Sequence, residues 1–222
     1  MLPPLTDLVA LMGIALVLCT GCLRLLDFMR RGSGVAGVTL STRSAKWVAA
    51  ICFVVLWCPV GSAQLPLVAY IRGISSDLSI TLVALACLNL RQRLLGLGAF
   101  DLRERMAVNA VVGVAALLLY PLALGWGDWD AYRVGWGAPG MWVGLLVLSL
   151  FFWAQGLRLV PILVALALLA WRFGLLESTN LWDYLLDPWL AFAALFQCVN
   201  WFARHVLARF RRTESDAAHQ SA

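Results

Sequence analysis

The chain has 222 residues, of which 62% are hydrophobic and only 13% are charged, and its mean hydropathy is +0.85. A soluble domain averages about 25% charged residues, so the composition excludes an ordinary soluble domain. Apolar blocks of roughly 20 residues match a hydrocarbon core about 30 Å thick. The sequence therefore predicts an all-α, polytopic transmembrane helix bundle. The net charge of +5 does not indicate a nucleic-acid partner, because in a membrane protein the position of each charge matters more than the total.

The apolar blocks predict about seven spans. In chain order they are Leu5–Leu26, Trp47–Gln64, Ile74–Leu90, Met106–Gly125, Met141–Gln155, Val160–Phe173 and Pro188–Val206. The fifth and sixth blocks are short, so six spans is the alternative, in which these two form one hairpin. Pro59 and Pro66 interrupt the second block, since proline removes a backbone donor, and Leu65–Gly73 is expected to be a bent or interfacial piece.

The two ends of the chain complete this organisation. Gly13, Val17 and Gly21 recur every four residues in the first block, which favours close helix packing on that face. A single integral-membrane domain is predicted over residues 1–206. Residues 207–222 are expected to form a basic and then polar cytoplasmic tail that is disordered.

The basic residues fall mostly on one side of the predicted spans. Fourteen lie on one face: Arg24, Arg30, Arg31, Arg43, Lys46, Arg91, Arg93, Arg103, Arg105, Arg158, Arg204, Arg209, Arg211 and Arg212. Only Arg72, Arg133 and Arg172 lie on the other face. Five acidic residues share the basic face: Asp27, Asp101, Glu104, Glu214 and Asp216. Seven lie on the other face: Asp7, Asp77, Asp128, Asp130, Glu177, Asp183 and Asp187. Because cytoplasmic loops carry the excess of Lys and Arg, we predict an outside N-terminus and a cytoplasmic C-terminus in a bacterial-type inner (plasma) membrane.

The outer side carries the first candidate site, which we call the outer lip. Its members are Arg72, Asp77, Asp128, Asp130, Arg133, Glu177, Asn180, Asp183 and Asp187. Carboxylates beside aromatic residues suit a divalent cation, a sugar or a lipid headgroup. The alternative, which the sequence favours, is helix capping by Asp77, Asn180 and Asp187, whose side chains satisfy free backbone N–H groups.

Amide side chains at membrane depth form the second candidate set. Gln155, Gln197 and Asn200 are predicted to lie within or at the end of spans. Polar groups in a membrane are functional candidates by default. Amides also hydrogen-bond between helices, and the lack of a carboxylate at this depth favours that packing role.

The sequence predicts no catalytic residues, no metal site and no cofactor. The outer face has no histidine, since His205 and His219 lie at the inner end and in the tail, so a Ser-His or Cys-His pair is not expected there. The six cysteines lie in or beside apolar blocks. Buried packing is the favoured interpretation for them, because free cysteine behaves as a small hydrophobic residue.

Three functions remain open. The favoured hypothesis is a non-enzymatic structural or accessory protein that packs with other envelope proteins. The alternatives are a protein that binds or transports a small molecule or lipid at the outer lip, and an interfacial enzyme on lipid-linked substrates. Membrane lipids are the expected partners, with other membrane-protein subunits as further candidates. An outer-face metal site with Asp183 and Asp187 near Asp77 or Asp130 would favour the enzyme, and widely separated carboxylates would disfavour it.

Overall fold

The computed structural model describes residues 4–32, 39–98 and 100–220. Residues 33–38, part of the basic stretch between the first two spans, lie outside this range. Within the described residues the chain forms nine α-helices. They are α1 (Leu5–Gly32), α2 (Thr42–Trp57), α3 (Leu67–Ser75), α4 (Ile80–Leu95), α5 (Leu102–Ala123), α6 (Pro139–Ala154), α7 (Leu159–Arg172), α8 (Leu181–Leu185) and α9 (Pro188–Gln220). The all-helical fold class predicted from the sequence is confirmed.

Two short elements interrupt the helices. The strands β1 (Pro59–Val60) and β2 (Leu65–Pro66) pair in an antiparallel hairpin between α2 and α3. A 3₁₀ helix covers Tyr132–Trp136 between α5 and α6. The predicted second span is therefore too long at its end, because Pro59 starts the hairpin and α2 ends at Trp57.

The start of the predicted third span also needs correction. We expected a helix from Ile74 with Asp77 as a cap, whereas α4 begins at Ile80. The cap is Ser79, whose Oγ accepts a hydrogen bond from the Leu82 N–H at 3.2 Å. Residues 74 and 75 instead end α3, which stops where Ser76 takes a positive φ of 61°. Asp77 is then free of the helix and available to a distant partner.

The last helix extends beyond the predicted boundary at Val206. Its backbone is helical through Gln220, where the sequence favoured a disordered tail. Adding residues to an existing helix avoids the cost of nucleation, and this segment contains the helix-favouring residue types Arg, Ala and Glu.

Three clusters of buried apolar residues hold the helices together. The first joins α1 to α4 through residues such as Ile14, Val68 and Leu90. The second joins α4, α5, α7 and α9, and the third joins α6, α7 and α8 around Tyr184. At Gly13 a Cβ atom would lie 2.9 Å from Val83 Cγ2, so glycine permits the close approach of α1 to α4. Helix α4 is thus packed between the two larger clusters.

Among the residues that the structure describes, two helices have the length and apolar character of a membrane span. They are Leu5–Arg30 of α1, with 26 residues, and Leu102–Ala123, with 22 residues. At about 1.5 Å per residue these lengths are about 39 and 33 Å, enough to cross a hydrocarbon core of about 30 Å. The apolar helices α6 and α7, with 16 and 14 residues, are shorter than that core requires.

Candidate functional site

Arg72 forms the centre of the candidate site. Its guanidinium binds three carboxylates from three parts of the chain: Asp77 through Nε at 2.8 Å, Asp7 through Nη1 at 2.6 Å and Glu177 through Nη2 at 2.7 Å. The planar guanidinium offers five N–H donors, which is why one arginine serves three acceptors. It joins the start of α1, the end of α3 and the segment before α8.

The charge balance at Arg72 is reflected in its pKa. Partial burial opposes the charged form of the guanidinium. The hydrogen bonds to Asp77 and Asp7, the charge of Asp77 and the hydrogen bond to Glu177 outweigh that effect, so the pKa of Arg72 is raised above its ordinary value. Arg72 therefore stays charged at physiological pH.

Asp187 connects the starts of α4 and α9. Its Oδ2 accepts hydrogen bonds from the Ser79 hydroxyl at 2.5 Å and from the Ser79 N–H at 2.9 Å. Its Oδ1 accepts the Leu190 N–H at 2.8 Å, which confirms Asp187 as the N-cap of α9. Asp187 is 5% exposed, so this carboxylate is buried and fully engaged with donors.

Asp183 and Asn180 position α8 against the 3₁₀ helix. Asp183 Oδ2 accepts the Tyr132 hydroxyl at 2.8 Å and also the Ser178 hydroxyl. Asn180 caps α8 as predicted, because its Oδ1 accepts the Trp182 N–H at 2.9 Å, and its Nδ2 donates to the Tyr132 carbonyl at 3.0 Å.

The pKa values of two tyrosines in this region, Tyr132 and Tyr184, are raised. Burial and the hydrogen bond to Asp183 raise the pKa of Tyr132 to about 12. Burial also raises the pKa of Tyr184, whose hydroxyl donates to the Leu176 carbonyl at 3.2 Å. Both phenols are therefore neutral hydrogen-bond donors at physiological pH.

These groups surround one open cavity of about 1170 Å³, which we call the acidic cleft. Its charged lining consists of Asp7, Arg72, Asp77, Glu177, Asp183 and Asp187. Tyr120 and Tyr132 also line it, and Leu11, Leu119 and Leu186 provide apolar wall. The structure thus brings together five of the nine residues predicted for the outer lip.

The other outer-lip residues lie elsewhere. Asp128, Asp130 and Arg133 are exposed and line a separate cavity of about 680 Å³ beside the 3₁₀ helix. Asp130 Oδ1 accepts the Tyr132 N–H at 2.9 Å, a local turn contact. Asn180 is buried behind the acidic cleft and does not line it. Proximity in the sequence to tryptophan residues did not predict which acids would meet.

Sequence reasoning missed Asp7, Tyr120, Tyr132 and Ser178. Asp7 lies in the first turn of α1, where a carboxylate interacts favourably with the helix dipole. The sequence did contain a signal for Asp7. Arg72 is one of three basic residues assigned to the outer side, and it needs acidic partners on that side. The contacts of Tyr132 with Asp183 and Asn180 have no local signature in the sequence.

The predicted amide set separates into three environments. The Asn109 Nδ2 donates to Gln197 Oε1 at 3.3 Å, which links α5 to α9. Gln155 is exposed at the C-terminal end of α6 and is not packed between helices. Asn200 is half-buried on α9.

The acidic cleft has charged, aromatic and apolar side chains in its wall. Within the part of the chain that the structure describes, no group of three His, Cys, Asp or Glu side chains is arranged to hold a metal ion. The cleft carboxylates are instead bound to donors on neighbouring elements, so they form a fixed negative surface around an open volume.

Comparisons with protein-family models, curated proteins and solved structures found no match to this chain.

Proposed function

We propose that this protein is a polytopic membrane protein that binds a small organic cation in the acidic cleft on its outer side. The membrane arrangement is supported by how the helix ends cluster. Asp7, Arg72, Asp77, Glu177 and Asp183, all assigned to the outer face, meet in one cleft. At the opposite end Glu104 accepts the Arg158 N–H at 2.9 Å, and both residues were assigned to the inner face.

The exposed surface of the helices supports the same arrangement. Along α6 five large apolar side chains are each 58–60% exposed: Val143, Leu146, Val147, Leu150 and Phe151. A continuous apolar surface of this kind is unfavourable in water and is suited to lipid. Seven crossings require α6 and α7 each to cross the membrane, and a locally thinned bilayer accommodates such short helices at modest cost.

The charge of the acidic cleft indicates the ligand class, and this is the observation that carries the proposal. Five carboxylates against one guanidinium leave a net charge of −4. A concave wall of one charge sign raises the local concentration of ligands of the opposite sign. An anionic or strongly acidic ligand is therefore disfavoured.

An organic cation fits this cleft better than a metal ion. A bare divalent ion needs several oxygen ligands directed at one point, whereas these carboxylates already accept hydrogen bonds from Arg72, Ser79 and Tyr132. The faces of aromatic rings attract ammonium groups, and Tyr120 and Tyr132 line the cleft. The apolar wall at Leu119 and Leu186 suits the carbon skeleton of an amine.

Ligand binding replaces the accessory role, which the sequence favoured, as the leading hypothesis. The change follows from the convergence of the outer acids on a single cleft. Capping and binding are not exclusive, because Asp187 caps α9 while lining the cleft. An enzyme on lipid-linked substrates is less well supported, since the engaged carboxylates are held by donors and are not poised for proton transfer.

Isothermal titration tests the proposal. Purified protein in a neutral detergent would be titrated with choline and ethanolamine, and with glucose and acetate as non-cationic controls. We expect the cations to bind and their affinity to fall with added salt, because opposite charges at a surface are screened. Glu177→Gln and Asp183→Asn should each weaken binding by about tenfold, the range of one hydrogen bond to a charged group.

The matched control is Asp128→Asn, which removes the same charge from the separate cavity. Its affinity for the cations should stay within about twofold of the wild type. Equal weakening in Asp128→Asn and Asp183→Asn, or no heat of binding with either cation, would refute the cleft as the site.

The membrane arrangement has its own test. A reporter that works only in the cytoplasm should be active when it is fused after Ala222. A reporter that works only outside the cytoplasm should be active when it is inserted after Asp128. A periplasmic C-terminus would contradict the proposed orientation.

A further inference from the structure

A third cavity lies between α1, α4, α5 and α9, with apolar residues over most of its wall and two arginines at the end of the bundle away from the acidic cleft. We call it the arginine pocket. It has a volume of about 190 Å³, and its polar lining consists of Thr20, Arg24, Asn89, Arg105, Asn109 and Gln197. No carboxylate lines it among the residues that the structure describes. Its charge is thus opposite to that of the acidic cleft.

The neighbouring cavity shares Arg24, Asn89 and Arg105 and adds Asp27 and Arg93. Its one carboxylate is already engaged. Asp27 Oδ2 accepts from Arg93 Nη2 at 2.5 Å, and Asp27 Oδ1 accepts the Leu40 N–H at 3.0 Å. Arg93 neutralises Asp27, so the two adjoining cavities keep the positive charges of Arg24 and Arg105.

Arg24 has a neutral partner. Its Nη2 donates to Asn89 Oδ1 at 2.9 Å, and the Asn89 Nδ2 donates in turn to the Leu85 carbonyl at 2.6 Å, which fixes the amide. In the described portion of the chain no carboxylate oxygen lies within 4.0 Å of Arg24 or Arg105. Two guanidiniums that share a small pocket repel each other, and an anion between them relieves that repulsion.

We propose that the arginine pocket binds a phosphate group through Arg24 and Arg105. Guanidinium N–H groups pair with phosphate oxygens two at a time, and a tetrahedral phosphate presents enough oxygens for both arginines. The volume of 190 Å³ suits a single phosphate group, whereas pockets for larger ligands measure about 300–1,000 Å³. The phosphate belongs either to an anionic lipid headgroup or to free inorganic phosphate.

Binding measurements with two probes distinguish these sources. Protein purified in a phosphate-free neutral detergent would be titrated with inorganic phosphate and, separately, with short-chain phosphatidylglycerol. Binding of phosphatidylglycerol alone assigns the site to a lipid headgroup, and binding of inorganic phosphate assigns it to the free ion. Arg24→Gln and Arg105→Gln should each lower the affinity for the probe that binds by about tenfold or more, as expected for charge-assisted hydrogen bonds.

The control variant is Arg91→Gln, which removes one positive charge from α4 without lining either cavity. Its affinity should stay within about twofold of the wild type. Arg24→Gln keeps a side-chain donor for Asn89, and unchanged helical circular dichroism would verify its fold. Arg24→Lys should bind less tightly than the wild type, because lysine lacks the paired donors.

Two results would overturn the proposal. One is the absence of binding of either probe to the wild type. The other is an equal loss of affinity in Arg91→Gln and Arg24→Gln, which would mean a general attraction of anions to the basic end. Choline binding at the acidic cleft is measured independently, so failure of one site leaves the other unaffected.

Discussion

The Ser79 hydroxyl and the Asp187 carboxylate, 108 residues apart in the chain, form a buried hydrogen bond of 2.5 Å that joins the start of α4 to the start of α9. Each residue is also the N-cap of its own helix. A single contact therefore fixes two helix ends and one wall of the acidic cleft. Helix capping and assembly of the cleft depend on the same atoms.

Asp187→Ala should be strongly destabilising. It leaves the N–H groups of Ser79 and Leu190 and the Ser79 hydroxyl without their acceptor, and each buried unpaired group costs about 1–3 kcal/mol. Asp187→Asn should cost less, since asparagine is also an effective N-cap. Thermal unfolding in detergent would measure both. Asp128→Ala, at an exposed position, should change the midpoint little, and a similar loss there would contradict this account.

Gly135→Ala should separate the 3₁₀ helix from α8. A Cβ at Gly135 would overlap Asn180 Oδ1 and lie 2.6 Å from Trp182 Cδ1, and both contacts involve a side chain held by hydrogen bonds. Overpacking of this kind costs about 1–3 kcal/mol. We expect a lower unfolding midpoint and a changed Trp182 fluorescence. At Gly140 a Cβ meets no atom within 4 Å, so Gly140→Ala should be neutral.

Tyr132 should confer a pH dependence at alkaline pH. Its pKa is raised to about 12 in the folded protein from an ordinary value of 10.0. The stabilisation from its hydrogen bond to Asp183 is therefore fully present below pH 10 and is lost as the pH rises through about 12. Subtracting the ultraviolet titration of Tyr132→Phe from that of the wild type should isolate a phenol that ionises near 12. A difference centred near 10 would show that the contact is absent.

The Asn109–Gln197 hydrogen bond should show a modest coupling energy. It joins α5 to α9, and its length of 3.3 Å is long for an N–H···O hydrogen bond. A double-mutant cycle with Asn109→Ala and Gln197→Ala should give about 0.6 kcal/mol, the average for hydrogen bonds between membrane helices. The same cycle with Asn200→Ala in place of Gln197→Ala should give about zero. Equal coupling in both cycles would indicate a non-specific effect.

The local features of the fold were predictable because local signals encode them. The approximate positions of the long helices came from the apolar blocks, and the caps at Asn180 and Asp187 came from residue types that satisfy free N–H groups. The predicted cap at Asp77 was wrong because Ser79, two residues later, competes for the same role and Arg72 attracts the carboxylate. Gly21, expected to pack closely, instead lines the arginine pocket.

By itself the sequence determined that the chain is helical and that its helices are apolar. Only the tertiary structure decided which charges meet. Arg72 lies 65 residues from Asp7 and 105 from Glu177, far beyond the three- or four-residue spacing that links side chains along a helix. The physical reason is that helix formation and hydrophobicity act over neighbouring residues, whereas a cleft forms where the ends of separate helices pack together.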